Sequence, residues 1–312
     1  MANKDLRGIL DLTPDDVEEI FALAAELKAE VKRGVFRPLL ANRTLAMIFE
    51  KPSLRTRTTF DVGMFQLGGH AIYISSAEVG LGKRESVPDV ARNLERWVDL
   101  ICARTFSHAT VEGLAAHCSI PVVNALCDRE HPCQALADFL TLREHFGSLD
   151  GLRLAYVGDG NNVAHSLMLL AALTGVSIRI CTPKGYEPDP KIAAEARARH
   201  PRGPKSVWIG SNLEEGLAGS RAVYTDVWAS MGQEAEAAER ARIFAPFQVN
   251  MELLSMAEPN AKVMHCLPAH RGEEITSEAL DSPNSIVLDQ AENRLHAQKA
   301  VLAILHRNAQ NG

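Results

Sequence analysis

The sequence predicts an α/β protein of two domains, each a parallel sheet flanked by helices, with long helices joining them. Helical and strand patterns alternate along the whole chain, which argues repeated strand–helix units. At 312 residues the chain is long for one hydrophobic core, so two domains of about 150 residues each are expected. A second series of units starts near residue 152, with no low-complexity linker or internal repeat before it. The joint therefore falls in a helix over 132–147. The expected division is 1–145, completed by the C-terminal helix 289–312, against 146–288.

Thr13-Pro14-Asp15-Asp16 marks a helix start, and 17–31 continues it with Leu23 and Leu27 on one face. Residues 44–49, apolar after Thr44, form a buried strand. Ser53 caps the next helix, where Phe60, Met64 and Leu67 recur at helical spacing until Gly68-Gly69 ends the pattern. Strands follow at 70–74, 99–104 and 121–125, with helices near 86–97 and 109–118 between them. Pro132 suits the first position of a helix that carries Leu136, Phe139, Leu140 and Leu142 and stops at Gly147. In the second half, 152–157 is a strand, Gly158-Asp159-Gly160-Asn161-Asn162 a turn and 163–173 a helix. Further strands are expected at 177–181, 222–225, 262–265 and 285–288, and a last helix over about 290–306. Two stretches, 75–85 and 231–243, lack a regular pattern and read as mobile loops over a ligand.

Composition is that of a globular protein, with 46% apolar and 23% charged residues. A net charge of −6 without a dense basic run leaves no footprint for nucleic acid. No run approaches the roughly 18 consecutive apolar residues of a membrane span. The start, Met1-Ala2-Asn3-Lys4-Asp5-Leu6-Arg7-Gly8-Ile9, has neither a signal-peptide core nor the arginine-rich character of a transit peptide. Six cysteines, at 102, 118, 127, 133, 181 and 266, lie without paired metal spacing. The expectation is a reduced, cytoplasmic compartment, with no membrane or nucleic-acid partner and no metal.

Ser53-Leu54-Arg55-Thr56-Arg57-Thr58 is chemically the most informative stretch. It places arginines in the first turn of a helix, where free N–H groups and the positive end of the dipole favour acids. An anion resting there resolves the conflict. Phosphate matches the N–H donors, the hydroxyls of Ser53, Thr56 and Thr58, and a bidentate guanidinium. Pairing of the arginines with Glu50 or another carboxylate is the alternative.

Four further clusters fall just past the C-terminal ends of expected strands, where α/β proteins hold ligands. Arg104 ends the run Leu100-Ile101-Cys102-Ala103. His131-Pro132-Cys133-Gln134 sets a histidine able to polarise a carbonyl near a side-chain amide able to read an amide or carbamoyl group. A capping histidine beside a surface glutamine is the plainer reading. Asp226-Val227-Trp228-Ala229-Ser230-Met231-Gly232 offers a carboxylate to a cationic amine, or an Asx-turn beside a buried tryptophan. His265-Cys266-Leu267-Pro268 offers a thiol as a polar wall or as a nucleophile, without the further ligands of a zinc site. Leu267-Pro268 is a candidate cis bond that aims backbone carbonyls inward. Gly158-Asp159-Gly160-Asn161-Asn162-Val163 fails as a dinucleotide turn: Val163 replaces the third glycine, and the next strand ends without an acid for a ribose. Asn161 and Asn162 read instead as amides projecting toward a ligand.

Taken in order, Ser53-Leu54-Arg55-Thr56-Arg57, His131-Pro132-Cys133-Gln134, Asp226…Ser230-Met231-Gly232 and His265-Cys266-Leu267-Pro268 resemble the aspartate/ornithine carbamoyltransferase family over essentially the whole chain. The last two motifs point to its ornithine carbamoyltransferases. The resemblance implies transfer of the carbamoyl group of carbamoyl phosphate to the δ-amine of L-ornithine, giving L-citrulline and phosphate, as in arginine biosynthesis and without a cofactor. It implies a carbamoyl-phosphate domain, an ornithine domain and a homotrimer with sites at subunit boundaries, where a loop near 80–86 of the neighbour reaches in. Ser53, Leu54, Arg55 and Thr56 are then expected to hold the phosphate. Arg104, His131, Gln134 and Arg294, with Cys266 and Leu267, are expected at the carbamoyl group, and Asn162, Asp226, Ser230 and Met231 at ornithine. Arg104, His131, Asp226 and Cys266 are the residues expected to act in the chemical step. One departure stands out: the family's commonest pattern has threonine where this chain has Leu54, leaving only a backbone N–H there for phosphate. Two neighbouring readings use the same residues, namely transfer to another amine such as putrescine or an acylated ornithine, and a silent binding protein that keeps the fold.

Overall fold

The computed structural model describes residues 3–75, 80–82, 84–229 and 234–311. The chain forms two compact units, one of Met1–Leu140 with Glu292–Gly312 and the other of Thr141–Ala291.

The first unit opens with helix α1 (Pro14–Lys32), whose start is fixed by a reciprocal cap. The Thr13 hydroxyl accepts from the Asp16 N–H at 3.2 Å, and the Asp16 carboxylate accepts from the Thr13 N–H at 2.8 Å. Then come β1 (Thr44–Phe49), α2 (Leu54–Gln66), β2 (His70–Ser75), α3 (Val87–Leu94), β3 (Leu100–Arg104), α4 (His108–Ala116), β4 (Val122–Leu126) and α5 (Pro132–Phe146). The four strands run parallel in the order β2-β1-β3-β4. Residues 45–49 of β1 and all of β3 are buried, because helices cover both faces of a parallel sheet and leave no solvent side for polar residues. One side of the sheet packs Ile48, Ile101 and Ala103 against Val90, Leu94, Val111 and Leu114 of α3 and α4. The chain leaves β1 for β2 on one side and returns to β3 on the other. This switch point lies between the C-terminal ends of β1 and β3, where Phe49 stands in register with Arg104.

The second unit continues with β5 (Arg153–Val157), α6 (Asn162–Thr174), β6 (Ser177–Cys181), α7 (Pro190–Arg199), β7 (Val207–Gly210), α8 (Leu213–Leu217), β8 (Ala222–Thr225), α9 (Ala237–Phe244), α10 (Met251–Leu254), β9 (Lys262–His265) and α11 (Ser277–Leu280). Its five parallel strands are ordered β7-β6-β5-β8-β9. Helix α6 is buried from Val163 through Ala172, begins on an Asn161 cap and ends on Gly175 at φ 78°, a left-handed cap that suits glycine. The switch point here lies between β5 and β8, with Val157 beside Thr225 and Thr225 beside His265. The last helix, α12 (Val287–Asn311), returns to the first unit. The chain thus passes between the units inside α5 and α12, as the expected long connecting helices require.

Three expectations need correction. Residues 285–288 are no strand: Ser285 forms an isolated bridge to Val263, and Val287 begins α12. A short apolar run reads alike in a strand and at the start of a buried helix, and here Ile286 and Val287 are buried while Leu288 is 75% exposed. The edge strand β7 is missing from the sequence reading because Val207-Trp208-Ile209 offers only three apolar residues before Gly210. The stretch 231–243, read as a loop, contains α9 from Ala237 onward, built from the good helix formers alanine, glutamate and arginine.

Gly160 allows a close passage of two segments. Its N–H donates to the Tyr186 carbonyl at 2.9 Å, and a Cβ there would stand 2.6 Å from that oxygen and overlap Glu187 and Pro188 backbone atoms. That need, and not a bound pyrophosphate, accounts for the glycine in this turn. Gly160→Ala should therefore cost about 2–4 kcal/mol of unfolding free energy. Gly185→Ala, with φ +88° and open space around it, should cost about 1–2 kcal/mol. Urea unfolding of both variants checks this, and the reverse order would contradict it.

Candidate active site

At the switch point of the first unit, Ser53 has extended backbone, φ −160° and ψ 119°, and its Oγ accepts from the Thr56 N–H at 3.2 Å. The first turn of α2 carries no acid, so its remaining donors face outward uncompensated by an aspartate or glutamate of that turn. Thr56 is buried, Arg55 half-buried, and Leu54 is 78% exposed. Arg57 turns away from Arg55's position in the turn and lies over the Tyr73 ring, 4.0 Å from its centroid. The Glu50 carboxylate, the alternative partner for these arginines, accepts from the Phe106 N–H at 2.6 Å.

Arg104 ends β3 with only 8% exposure, at a break in the β3–β4 register, and its carbonyl accepts from the Glu50 N–H at 2.8 Å. The His131 carbonyl accepts the N–H groups of Gln134 and Ala135 at 3.1 and 3.2 Å, which places His131 at the cap of α5 as expected. From α12, Arg294 is 2% exposed and donates through Nη1 to Gln134 Oε1 at 2.5 Å and through Nη2 to Thr56 Oγ1 at 3.2 Å. Gln134 in turn donates from Nε2 to Asp138 Oδ1 at 2.7 Å. Lys28 of α1 donates to Asn293 Oδ1 at 2.8 Å, tethering the turn of α12 that carries Arg294.

The electrostatics of this cluster are one-sided. Burial, reinforced by Arg294, Arg104 and Arg55, holds His131 well below its ordinary value of 6.5. Burial, with Arg104 beside it, also lowers Lys51, whose Nζ sits 4.5 Å from the centroid of the Phe106 ring. Lys51 was not singled out from the sequence, although it lies in the segment leading into Ser53. The cluster therefore joins several cations to a neutral imidazole, a set chemically able to bind a doubly charged anion and to polarise a carbonyl. Cys133, between His131 and Gln134, is pushed up to about 12 by burial and stays a thiol.

The second unit gathers Asp226, Asn161, Cys266 and His265 beyond β5, β8 and β9. Asp226 is buried; its Oδ1 accepts from the Cys266 thiol at 2.9 Å and the Val227 N–H at 2.8 Å, and its Oδ2 from Asn161 Nδ2 at 2.9 Å. Asn161 Oδ1 accepts the N–H groups of Val163 and Ala164 at 2.9 and 3.2 Å and the Tyr156 hydroxyl at 3.3 Å. Asn161 is thus both helix cap and brace for Asp226, a role its sequence neighbours do not reveal. Asn162 is half-buried and opens α6. Ser230 and Met231 lie outside the described residues.

Leu267 has φ 58°, and Leu267-Pro268 is the cis bond anticipated. The Leu267 N–H donates to His265 Nδ1 at 2.8 Å, so Nε2 carries the hydrogen and donates to Glu274 Oε1 at 3.0 Å. Glu274 Oε1 also accepts the His270 N–H at 2.6 Å, so one fully buried carboxylate holds both ends of the loop bearing Cys266 and Leu267. The ligand atoms of Asp226, His265 and Cys266 lie within 4.8 Å of one another, and these hydrogen bonds account for their approach. Arg240 braces the other side: Nη1 donates to Asp159 Oδ2 at 3.0 Å and to the Trp228 carbonyl at 2.8 Å. Burial raises Asp159, with Arg240 acting in the opposite direction. Arg240 escaped the sequence reading because Asp159 lies 81 residues from it, and Glu274 because nothing in an exposed-looking turn marks a carboxylate as buried.

Comparison with known proteins gives a consistent picture. The family profile "Aspartate/ornithine carbamoyltransferase, carbamoyl-P binding domain" matches residues 4–144, and "Aspartate/ornithine carbamoyltransferase, Asp/Orn binding domain" matches 150–305. The chain is 54% identical over 302 residues to an ornithine carbamoyltransferase from Thermus thermophilus, covering 97% of this chain and 96% of that one. An anabolic ornithine carbamoyltransferase from Pyrococcus furiosus is 49% identical over 305 residues, covering 98% and 97%. The solved structure of the ornithine carbamoyltransferase from Pyrococcus furiosus is similar with a TM-score of 0.93 at 50% identity, covering 96% of each chain.

A pH dependence follows from His131. Its native value is depressed, so the unfolded chain takes up the proton first as pH falls, and the native state loses stability below about 6.5. His131→Gln should flatten the fall in unfolding free energy between about pH 7 and pH 5, by up to about 1.4 kcal/mol per pH unit. Urea unfolding across that range measures the slope, and an unchanged or steeper slope would refute the assignment.

Proposed function

Because the chain belongs to the aspartate/ornithine carbamoyltransferase family, we propose that its two clusters serve carbamoyl phosphate and L-ornithine. The reaction moves the carbamoyl group to the ornithine δ-amine and gives L-citrulline and phosphate. The observation that carries this reading is the convergence of Arg55, Arg104 and Arg294 on a neutral, buried His131. Carbamoyl phosphate belongs to the domain 1–145 completed by 289–312, and ornithine to 146–288.

In the first cluster the phosphate meets the N-terminus of α2, with the Ser53 hydroxyl, the Leu54 and Thr56 N–H groups and the Arg55 guanidinium. Leu54 contributes backbone alone, which its exposed side chain leaves undisturbed. Arg104, the neutral His131 and the Thr56 hydroxyl donate to the carbamoyl oxygen, while Gln134 and Arg294 meet the rest of the group. In the second cluster Asp226 and Cys266 orient the δ-amine, and Asn162, Ser230 and Met231 hold the remainder of ornithine. The amine attacks as the free base, since an ammonium has no lone pair. Its C–N bond forms as the carbonyl oxygen takes negative charge, and each well-placed donor there contributes about 2.7–4 kcal/mol. The C–O bond to phosphate then breaks, its electron pair leaves on phosphate, and the surplus proton of the new amide goes with it.

Three further assignments belong to this reading. A homotrimer is supported by the apolar surface of Val62 and Phe65 on α2 and Ile72 on the edge strand β2, exposed in the single chain. A cytoplasmic place is supported by six cysteines, five of them buried, that form no disulfide. Among the described residues, no helix is long and apolar enough to cross a membrane. The anabolic relative supports a role in arginine biosynthesis.

Citrulline and phosphate should form from ornithine and carbamoyl phosphate, and no carbamoylated product or phosphate release should follow when aspartate or putrescine replaces ornithine; absence of citrulline would refute the reading. Cys266→Ser should lower kcat/KM for ornithine about tenfold, the size of one hydrogen bond of about 1–1.5 kcal/mol, without abolishing turnover. Complete loss, together with a burst of acyl-enzyme in the wild type, would make Cys266 a nucleophile instead.

A further inference from the structure

We infer that Asp138 is a positioning residue that locks the amide of Gln134 in one orientation and so selects a carbamoyl over an acyl phosphate. The inference rests on the reading that Gln134 meets the carbamoyl group. Asp138 lies one helical turn after Gln134 on α5 and is 0% exposed. Its Oδ1 takes a hydrogen from Gln134 Nε2 at 2.7 Å, while on the other end of the amide Oε1 takes one from Arg294 Nη1 at 2.5 Å.

A glutamine amide by itself is almost symmetric in shape, and donor and acceptor ends exchange on a half-turn. Here the flanking groups are not interchangeable. Asp138 Oδ1 accepts here and a guanidinium can only donate, so turning the amide over would face donor with donor and acceptor with acceptor. Neither group can be exchanged for water, because Gln134, Asp138 and Arg294 are all buried. The remaining capacity of Gln134 is thereby fixed: one lone pair on Oε1 beside Arg294, and one N–H on Nε2 beside Asp138.

That fixed lone pair matters because the surrounding groups are donors. Arg55, Arg104, Arg294 and Lys51 are cations, and all can read oxygen atoms of the ligand but none can read its amino group. A carbamoyl group differs from an acetyl group by an NH₂ in place of a CH₃. Gln134 Oε1 accepts from that NH₂, and a methyl group leaves a buried acceptor unsatisfied, the kind of loss that discriminates steeply between near-isosteres. Asp138 touches neither ligand; it acts by holding Gln134.

The test uses two stable phosphonates that share the charged group and the carbonyl, phosphonoacetamide and acetonylphosphonate, titrated calorimetrically into the full-length wild type and Asp138→Asn. The wild type should prefer phosphonoacetamide by at least about 100-fold. Asp138→Asn, whose own amide can turn over, should cut that ratio at least about tenfold while changing the affinity for inorganic phosphate less than about threefold. A role in holding the arginines alone would weaken both phosphonates equally and leave the ratio intact, which would overturn the inference. Equal binding of both phosphonates by the wild type would overturn it without any variant, so the test survives a variant that fails to fold. Wild type that makes citrulline while Asp138→Asn keeps the ratio sinks this inference alone; wild type that makes none sinks the reading beneath it.

Discussion

Positive charge is packed into the buried end of the first sheet, and the rest of that unit is arranged to tolerate it. Arg104 and Arg294 are almost wholly buried, Arg55 and Lys51 stand close enough to be felt, and the histidine among them stays neutral. Buried cations cost free energy unless paired or hydrogen-bonded. The frame that bears this cost is apolar: β1 and β3 bury their side chains on both faces, and Arg104 is the last residue of such a strand. Arg294 is held by Gln134 and Thr56, and the helix that carries it is fastened to α1 through Lys28 and Asn293. A dianion arriving there relieves repulsion that folding has already overcome, so binding strengthens the native state by mass action.

The second unit solves the opposite problem, that of a single carboxylate. Three donors converge on Asp226, from the thiol of Cys266, the Val227 N–H and the Asn161 amide. Each donor is itself fixed. Asn161 caps α6, Cys266 belongs to a loop tied at both ends to Glu274, and the strand-end loop beyond Val227 is held at Trp228 by Arg240. The carboxylate therefore has a set position before any ligand is present, which is the condition for orienting an amine rather than following it.

What the sequence revealed, and what it hid, divides along physical lines. The strands at both switch points, β1, β5, β8 and β9 among them, are legible because buried strands in a parallel sheet are short continuous apolar runs with turn residues after them. Arg104, Asp226 and Cys266 stand out because each ends or directly follows such a run, and Ser53 and His131 because each closes the short loop that leads from one into a helix. The limits appear where tertiary packing decides. Ile286 and Val287 read as a strand yet lie at the start of a helix, and β7 is an edge too short to register. Arg57 shares a motif with Arg55 but stacks on Tyr73. Asp138, Arg240 and Glu274 are charged residues that local sequence assigns to solvent; Arg240 is buried on a partner 81 residues away, Asp138 on a helix face that only the fold turns inward, and Glu274 in a turn folded back on His265 and His270.

The contrast between the two clusters bears on how a proton is handled. A bare carboxylate beside an amine favours the ammonium form, which cannot attack a carbonyl carbon. Asp226 is not bare: three hydrogen bonds occupy three of its roughly four lone-pair sites, and the remaining one can align the nitrogen of an approaching amine. His131, crowded by cations, is likewise unsuited to accept a proton and suited to donate a hydrogen bond. On the proposed reading, the amine's surplus proton goes to the phosphate as it departs. On that reading the cations that would seat the phosphate would also moderate its basicity, and so link leaving-group departure to the end of the proton transfer.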